Sequence, residues 1–319
     1  MQKNSPDAKI PFIEKISDWE GHGVLSILGS TGSGKTSTAL DWVRTKFSND
    51  LKFPLLVSVD TVALYKGFDI GSAKVIGSNR SDFDWIGIDL FAGTDKVAVS
   101  DFVDAVKDKI ITALHSNRPV ICVGGSHFYE RALIEGQSLG QASDLEFQES
   151  LKKYKDSELS ERLYKLDARF QTIAHPNDRY RLCRYLDLAE LQKISFEQLM
   201  SEKIGGLVQE HSQISITRLA LGLNALNSEY EHGLALRIHE MFKLGWIEEV
   251  KTLLSNGIPS SAPAFQSVGY REIIDFLESK ISAKELPEEI LISHRQLAKK
   301  QRTWIRGMMR RSTNGNSFD

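Results

Sequence analysis

The chain has 319 residues, of which 41% are apolar and 26% charged, and a formal net charge of -2. That length can bury a full core, in one large domain or one domain carrying a smaller second one. The balance excludes a disordered or fibrous chain and a uniformly basic nucleic-acid binder. Cys122 and Cys183 are the only cysteines, and neither a CxxC pair nor a His/Cys zinc spacing occurs, so a reducing, cytoplasmic setting is expected. The opening MQKNSPDAKIPF lacks a charged start followed by an apolar stretch. No apolar run approaches the ~18 residues of a membrane span, so neither export nor membrane insertion is expected.

Residues 24–28 form an apolar run that ends in a glycine-rich turn and leads into a helix-like stretch over 35–47. Further strands are expected at 55–59, 85–90 and 120–123, the last running into Gly124 and Gly125. Between the last two, 100–116 reads as a helix with Ser100 as its N-cap. Short apolar strands alternating with helices indicate a parallel α/β sheet, whose ligands bind at the carboxyl ends of the strands. From about 137 to 205 charged amphipathic helices replace the strand signal. Residues 214–219 return as one more sheet strand, 230–254 and 287–311 are the longest helical segments, and 312–319 reads as a frayed tail. The expected fold is therefore a P-loop parallel sheet flanked by helices (1–136 and 206–319), with an inserted all-helical subdomain over 137–205.

GSTGSGKT fits GxxxxGK[ST] in full and sits between a strand and a helix, the context a P-loop requires. Backbone N–H groups of Gly29, Ser30, Thr31, Gly32, Ser33 and Gly34 and the following helix N-terminus make an anion nest. Lys35 adds a point charge, and the Thr36 hydroxyl can hold Mg²⁺. The next strand, LLVSVD, ends in Asp60, where a carboxylate can coordinate Mg²⁺ or take a proton from a nucleophile beside the P-loop; the residues alone leave both roles open. Near the C-terminus Arg295, Lys299, Lys300, Arg302, Arg306, Arg310 and Arg311 form a basic stripe around Trp304.

Five further words stand in order: VDTVALYKGFDIGSAK at 59–74, VGGSHFYERALIEG at 123–136, HPNDRYRLCRYL at 175–186, SVGYREI at 267–273 and RQLAKKQRTWIRG at 295–307. Together they resemble the tRNA dimethylallyltransferase family, whose counterparts read approximately VDSxxxYRGMDIGTAK, VGGTGLYxxALLEG, HPNDxxRxxRALE, GYRE and RQLAKRQxTWxR. The resemblance implies transfer of a dimethylallyl group from its diphosphate to N6 of the adenosine at tRNA position 37. The P-loop residues Gly29 to Thr36 would then hold diphosphate with Mg²⁺, Asp60 would be the general base, and Thr31 would lie near the reacting centre. Carried over position by position, it implies tRNA contacts at Asp60, Thr61, Val62 and Ala63, and at Ser126. After HPND it implies them at Tyr180, Arg181, Leu182, Cys183 and Arg184, and around GYRE at Gln266, Ser267, Val268, Gly269, Tyr270 and Arg271. In the last word they fall on Lys299, Lys300, Gln301, Arg302, Trp304 and Arg306. It also implies that the helical insertion clamps the anticodon stem-loop and that the enzyme is monomeric.

The chain departs from the pattern at four places. The family word HHLID is WIGID at 85–89, GGTG is GGSH with His127, an Asp-Arg pair aligns with Tyr230 and Glu231, and the residue after the DS word is Ala63. The missing arginine would face the diphosphate, and Arg237 or another nearby cation could take its place. Taken alone, Tyr270 reads as a packed aromatic, His175 as a residue that stops or caps a helix before Arg179, and Cys122 as a small core residue. Three functions remain to be weighed: a divergent active prenyltransferase, a tRNA-binding relative without transfer activity, and a P-loop small-molecule kinase.

Overall fold

The computed structural model describes residues 10–138, 144–201, 203–211, 213–224 and 227–314. Of the expected frayed tail, 315–319 lies outside these residues. In chain order the first elements are β1 (Phe12–Ile13), β2 (Val24–Gly29), α1 (Lys35–Lys46), β3 (Leu55–Ser58) and α2 (Ser78–Ser81). They continue with β4 (Asp84–Ile86), α3 (Val99–His115), β5 (Val120–Gly124) and α4 (His127–Glu135). After them come β6 (Gln137–Ser138), α5 (Leu145–Leu151), α6 (Asp156–Leu166), α7 (Arg179–Leu186), α8 (Phe196–Ser201), β7 (Lys203–Ile204) and α9 (Leu207–Glu210). The chain ends with β8 (Ile216–Leu221), α10 (Ser228–Lys243), α11 (Trp246–Ser255), α12 (Tyr270–Leu277) and α13 (Leu286–Asn314).

Six strands form one parallel sheet in the order β1-β8-β2-β5-β3-β4, so the expected α/β architecture holds. β2 lies inside the sheet, with Ser26 opposite Cys122 on one side and Arg218 on the other, and all six of its residues are buried. Alternation along it feeds two cores. Leu25 and Ile27 pack with Ala39, Leu40 and Val43 of α1, whereas Leu28 packs with Ile305 and Met308 of α13. Each fully buried leucine or isoleucine contributes about 2 kcal/mol, so these two layers hold the strand that launches the P-loop.

Several boundaries differ from the sequence reading. The strand expected over 85–90 stops at Ile86, because Gly87 turns at φ 79° with Ser58 O only 2.4 Å from where a Cβ would sit, and Asp89 follows at φ 56°. α3 is capped at Ala98, whose N–H donates to Asp101 at 2.7 Å, and Ser100 lies inside its first turn. The single helix expected over 230–254 is two, divided where Gly245 adopts φ 95°. β1, only two residues long, carried too little signal to be read from the sequence.

Among the described residues, 10–132 with 211–314 form one compact unit and 133–210 a second. The second has its own core of Leu151, Leu159, Leu163, Phe170, Leu182 and Leu186. It is not all-helical: β6 and β7 pair antiparallel, Gln137 opposite Ile204. Arg179 staples its helices by donating to Tyr154 O at 3.0 Å and Asp156 at 2.6 Å, and Asp178, not His175, caps α7 by accepting the Arg181 N–H at 3.1 Å. Among the described residues no helix is long and apolar enough to cross a membrane.

Candidate active site

β2 ends at Gly29 and α1 begins at Lys35, so the intervening loop must reverse within a few residues. Gly32 and Gly34 do this at φ 72° and 78°, a region that costs other residues strain. The Lys35 ammonium donates to Gly29 O at 3.1 Å and Ser30 O at 2.7 Å, curling back over the loop it belongs to. Burial lowers its pKa to about 8, opposed by the Asp60 carboxylate and reinforced by Arg237. Asp60 stands just beyond β3, and its Oδ1 accepts the N–H groups of Val62 at 2.9 Å and Ala63 at 3.2 Å, which orients the carboxylate.

One cavity of about 730 Å³ within the first unit is lined by Thr31 to Thr36 of the P-loop and by Asp60, Thr61, Val62 and Ala63. Ser126, Arg237, Gln266, Ser267, Val268, His294 and Gln301 also line it, as do the cations Arg44 and Lys74. Residues distant in sequence thus meet at the carboxyl ends of β2, β3 and β5. Ser126 Oγ accepts the Thr61 N–H at 3.1 Å, tying the turn after Asp60 to the loop after β5. Gln301, from the basic stripe of α13, accepts the Thr31 N–H at 2.7 Å and donates to Gly125 O at 3.0 Å. Tyr230 donates its hydroxyl to Thr31 O at 2.5 Å. Arg237 is mostly buried, and burial lowers its pKa against the pull of Asp60; its Nε has no hydrogen-bond partner among the described residues. Glu231 is ion-paired with Arg295 at 3.1 Å and does not line the cavity, whereas Arg237 of the same helix does.

Other residues singled out in the sequence lie elsewhere. Gly29 and Ser30 are buried beneath the loop, the Ser30 hydroxyl donating to Gly222 O at 3.3 Å. Leu182 and Cys183 belong to the core of the second unit, and Tyr270 is fully buried against Trp246 and Phe68, so none of the three presents a side chain to an RNA. Gly269 is the N-cap of α12, and Arg271 pairs with Glu272 at 2.7 Å. Arg302 is buried and donates to Asn224 O, while Trp304 stacks on His127 with ring centres 5.6 Å apart. Lys299, Lys300 and Arg306 are exposed, as is Tyr180, at 81%, with Arg181 beside it. Arg184 is paired with Asp187 at 3.2 Å. His127 does not line the cavity; it is buried, neither ring nitrogen has a hydrogen-bond partner among the described residues, and burial lowers its pKa to about 4. Sequence reasoning did not assign His294 or the apolar wall of Leu40, Val75, Trp85 and Ile88 to the site, although Trp85 and Ile88 stand in the WIGID word.

The sequence profile of IPP transferase matches residues 63–308. A tRNA dimethylallyltransferase of Francisella philomiragia is 29% identical over 289 residues, covering 89% of this chain and 90% of that one. The enzyme of the same name from Francisella tularensis subsp. novicida is 30% identical over the same shares. Among solved structures, a tRNA isopentenylpyrophosphate transferase from Bacillus halodurans superposes with a TM-score of 0.61 at 24% identity, over 89% of this chain and 87% of that one. A eukaryotic dimethylallyltransferase solved acting on tRNA gives 0.70 at 21% identity, over 88% and 69%. These two likenesses concern the fold. With the profile spanning most of its length and a 30% identical relative matched nearly end to end, the chain belongs to the IPP transferase family.

Proposed function

We propose that the chain transfers the dimethylallyl group of dimethylallyl diphosphate to N6 of the adenosine at tRNA position 37, next to the anticodon, releasing diphosphate. The observation that carries this reading is the meeting, in one cavity, of the P-loop, the partly buried cations Lys35 and Arg237 and an oriented carboxylate. The allylic C–O bond breaks, its electron pair leaves with the diphosphate, and the N6–C bond forms while a proton passes from N6 to Asp60. P-loop amides, Lys35 and Arg237 stabilise the departing charge. Thr31, clamped on both its N–H and its C=O, lines the same cavity, which supports the reading that it lies near this centre.

The donors present suit Mg²⁺. The Thr36 hydroxyl lines the cavity, and no cluster of three or more His, Cys, Asp or Glu competes among the described residues. A single hydroxyl with diphosphate oxygens and water is the kind of set this ion prefers. When bound, Mg²⁺ neutralises part of the diphosphate charge.

For the RNA, Tyr180 and Arg181 of the second unit and Lys299, Lys300 and Arg306 of the first offer exposed stacking and phosphate-binding groups. The target adenine must leave its stack to reach the cavity. We take the enzyme to act as a cytoplasmic monomer, where tRNA and allylic diphosphate meet. Incubating the protein with dimethylallyl diphosphate, Mg²⁺ and an anticodon stem-loop bearing adjacent adenosines is expected to add one C5 prenyl mass to the RNA. Binding of the RNA without added mass overturns the proposal, and nucleotide hydrolysis independent of RNA replaces it with a kinase.

A further inference from the structure

Between Asp60 and Val75 the chain forms one wall of the cavity without a helix or regular strand. Two side chains hold it, Lys74 buried and Glu249 half-buried. Lys74, its side chain 3% exposed, donates to Tyr65 O at 2.8 Å, Asp69 at 2.6 Å and Asp89 at 2.6 Å, so all three ammonium protons are engaged. Glu249, reaching in from α11, accepts the N–H groups of Asp69 at 3.0 Å and Ile70 at 2.7 Å on one oxygen and the Tyr270 hydroxyl at 2.6 Å on the other. The fit leaves no slack: a Cβ on Gly71 would stand 2.2 Å from Trp246 Nε1 and 2.4 Å from the Tyr270 ring.

These contacts continue to the reacting centre. Glu249 fixes the turn whose Asp69 side chain holds Lys74, and Lys74 holds Asp89. The Asp89 N–H donates to Ala63 O at 3.1 Å, and the Ala63 N–H donates to the Asp60 carboxylate at 3.2 Å. Each link is a charge-assisted or backbone hydrogen bond, the kinds that resist rotation most. A carboxylate set among backbone amides, with a phenol as its second partner, is a device for fixing a loop rather than for meeting solvent.

We infer that Glu249, braced by Tyr270, is a positioning residue that sets the direction of the Asp60 carboxylate through Lys74 and Asp89. The inference rests on the reading of Asp60 as the base. It gives the buried Tyr270 a purpose that contact with RNA does not.

The test compares Glu249→Gln and Tyr270→Phe with the unsubstituted protein and with Asp60→Ala, each shown by circular dichroism to be folded. Prenyl transfer to the stem-loop is measured together with RNA affinity and dimethylallyl diphosphate affinity. Glu249→Gln should lower kcat between about 10- and 100-fold, because small misplacements of a reacting group cost that much. Tyr270→Phe should lower it less, and both affinities should stay within about twofold, since neither residue touches ligand. Unchanged kcat in Glu249→Gln overturns the inference while leaving the proposed reaction intact, as do affinities that fall in step with kcat. If Asp60→Ala transfers as fast as the unsubstituted protein, the base assignment fails and the inference with it. Should Glu249→Gln not fold, Tyr270→Phe, which loses one hydroxyl, decides by the same criteria.

Discussion

The side-chain oxygen of Gln301 accepts the Thr31 N–H at 2.7 Å while its amide nitrogen donates to Gly125 O at 3.0 Å, so one residue of the C-terminal helix closes a bridge across the P-loop. Gln301→Leu leaves a P-loop donor and a strand-end acceptor unpaired. Gln301→Glu keeps the acceptor but loses the donor and brings negative charge to an anion site. Titration calorimetry with dimethylallyl diphosphate should find about tenfold weaker binding for Gln301→Glu, and a smaller loss for Gln301→Leu.

Asp60→Asn retains an oxygen for the Val62 and Ala63 amides but cannot take a proton. Its kcat should fall by about a hundred- to ten-thousand-fold, with RNA affinity within about twofold. Filter binding and single-turnover transfer, run side by side, check this. Equal losses in both place Asp60 in a structural role.

Lys35 sets a pH dependence whose sign follows from its pKa of about 8, depressed by burial from the ordinary 10.5. Its charged form holds the allylic diphosphate, so affinity is full below about pH 8 and weakens by about tenfold per unit above it. Stability moves the other way. Burying the charged ammonium costs the ligand-free fold below about pH 8, and that cost is relieved as pH rises toward 10.5. Lys35→Met should abolish both trends, as binding isotherms and thermal melts over pH 7 to 10 would reveal.

Tyr230→Phe removes the bond to Thr31 O and leaves the ring in place. A loss of about 1 kcal/mol in thermal stability is expected, with kcat reduced about three- to tenfold. Arg237→Gln should instead weaken dimethylallyl diphosphate binding by about a hundredfold, because a partly buried cation lining the P-loop cavity is lost. A reversed ranking in a binding assay refutes the roles given to these two residues.

His127 is held neutral by burial beside the cations Lys35 and Arg218, with a pKa of about 4 against the ordinary 6.5. The unfolded chain therefore binds the extra proton first, and stability falls as the pH drops from 6.5 to 4. His127→Phe keeps the stack on Trp304 and should flatten that acid limb in denaturant titrations followed by tryptophan fluorescence.

How much was legible in the sequence depended on how local each determinant is. β2, the P-loop and α1 are written in consecutive residues, and Lys35, Thr36 and Asp60 fall where the pattern puts them. The break after Ile86 was hidden, because positive φ at Gly87 and Asp89 leaves the apolar count of that run unchanged. Arg237 could be named as a candidate cation but not placed, since its burial depends on how α10 meets the P-loop. The roles of Tyr230, Gln301 and Glu249 are pairings across 21 to 270 positions, and one sequence carries no record of such partners. Tyr270, Leu182 and Cys183 stand in family words, but the words name neighbourhoods, and within them these residues face inward.

The pairing of β6 with β7 makes the second unit a detour whose entrance and exit are side by side: a Cβ on Gly206 would lie 2.2 Å from Gly136 N. A chain of this topology can be edited like a sentence with a parenthesis. Splicing out 139–202 and joining the two short strands by a tight turn leaves every strand of the parallel sheet in the chain, at a small entropic change for the shortened loop. Such a pruned protein is expected to retain dimethylallyl diphosphate binding and to lose its grip on the stem-loop, which would separate donor handling from acceptor handling in one molecule.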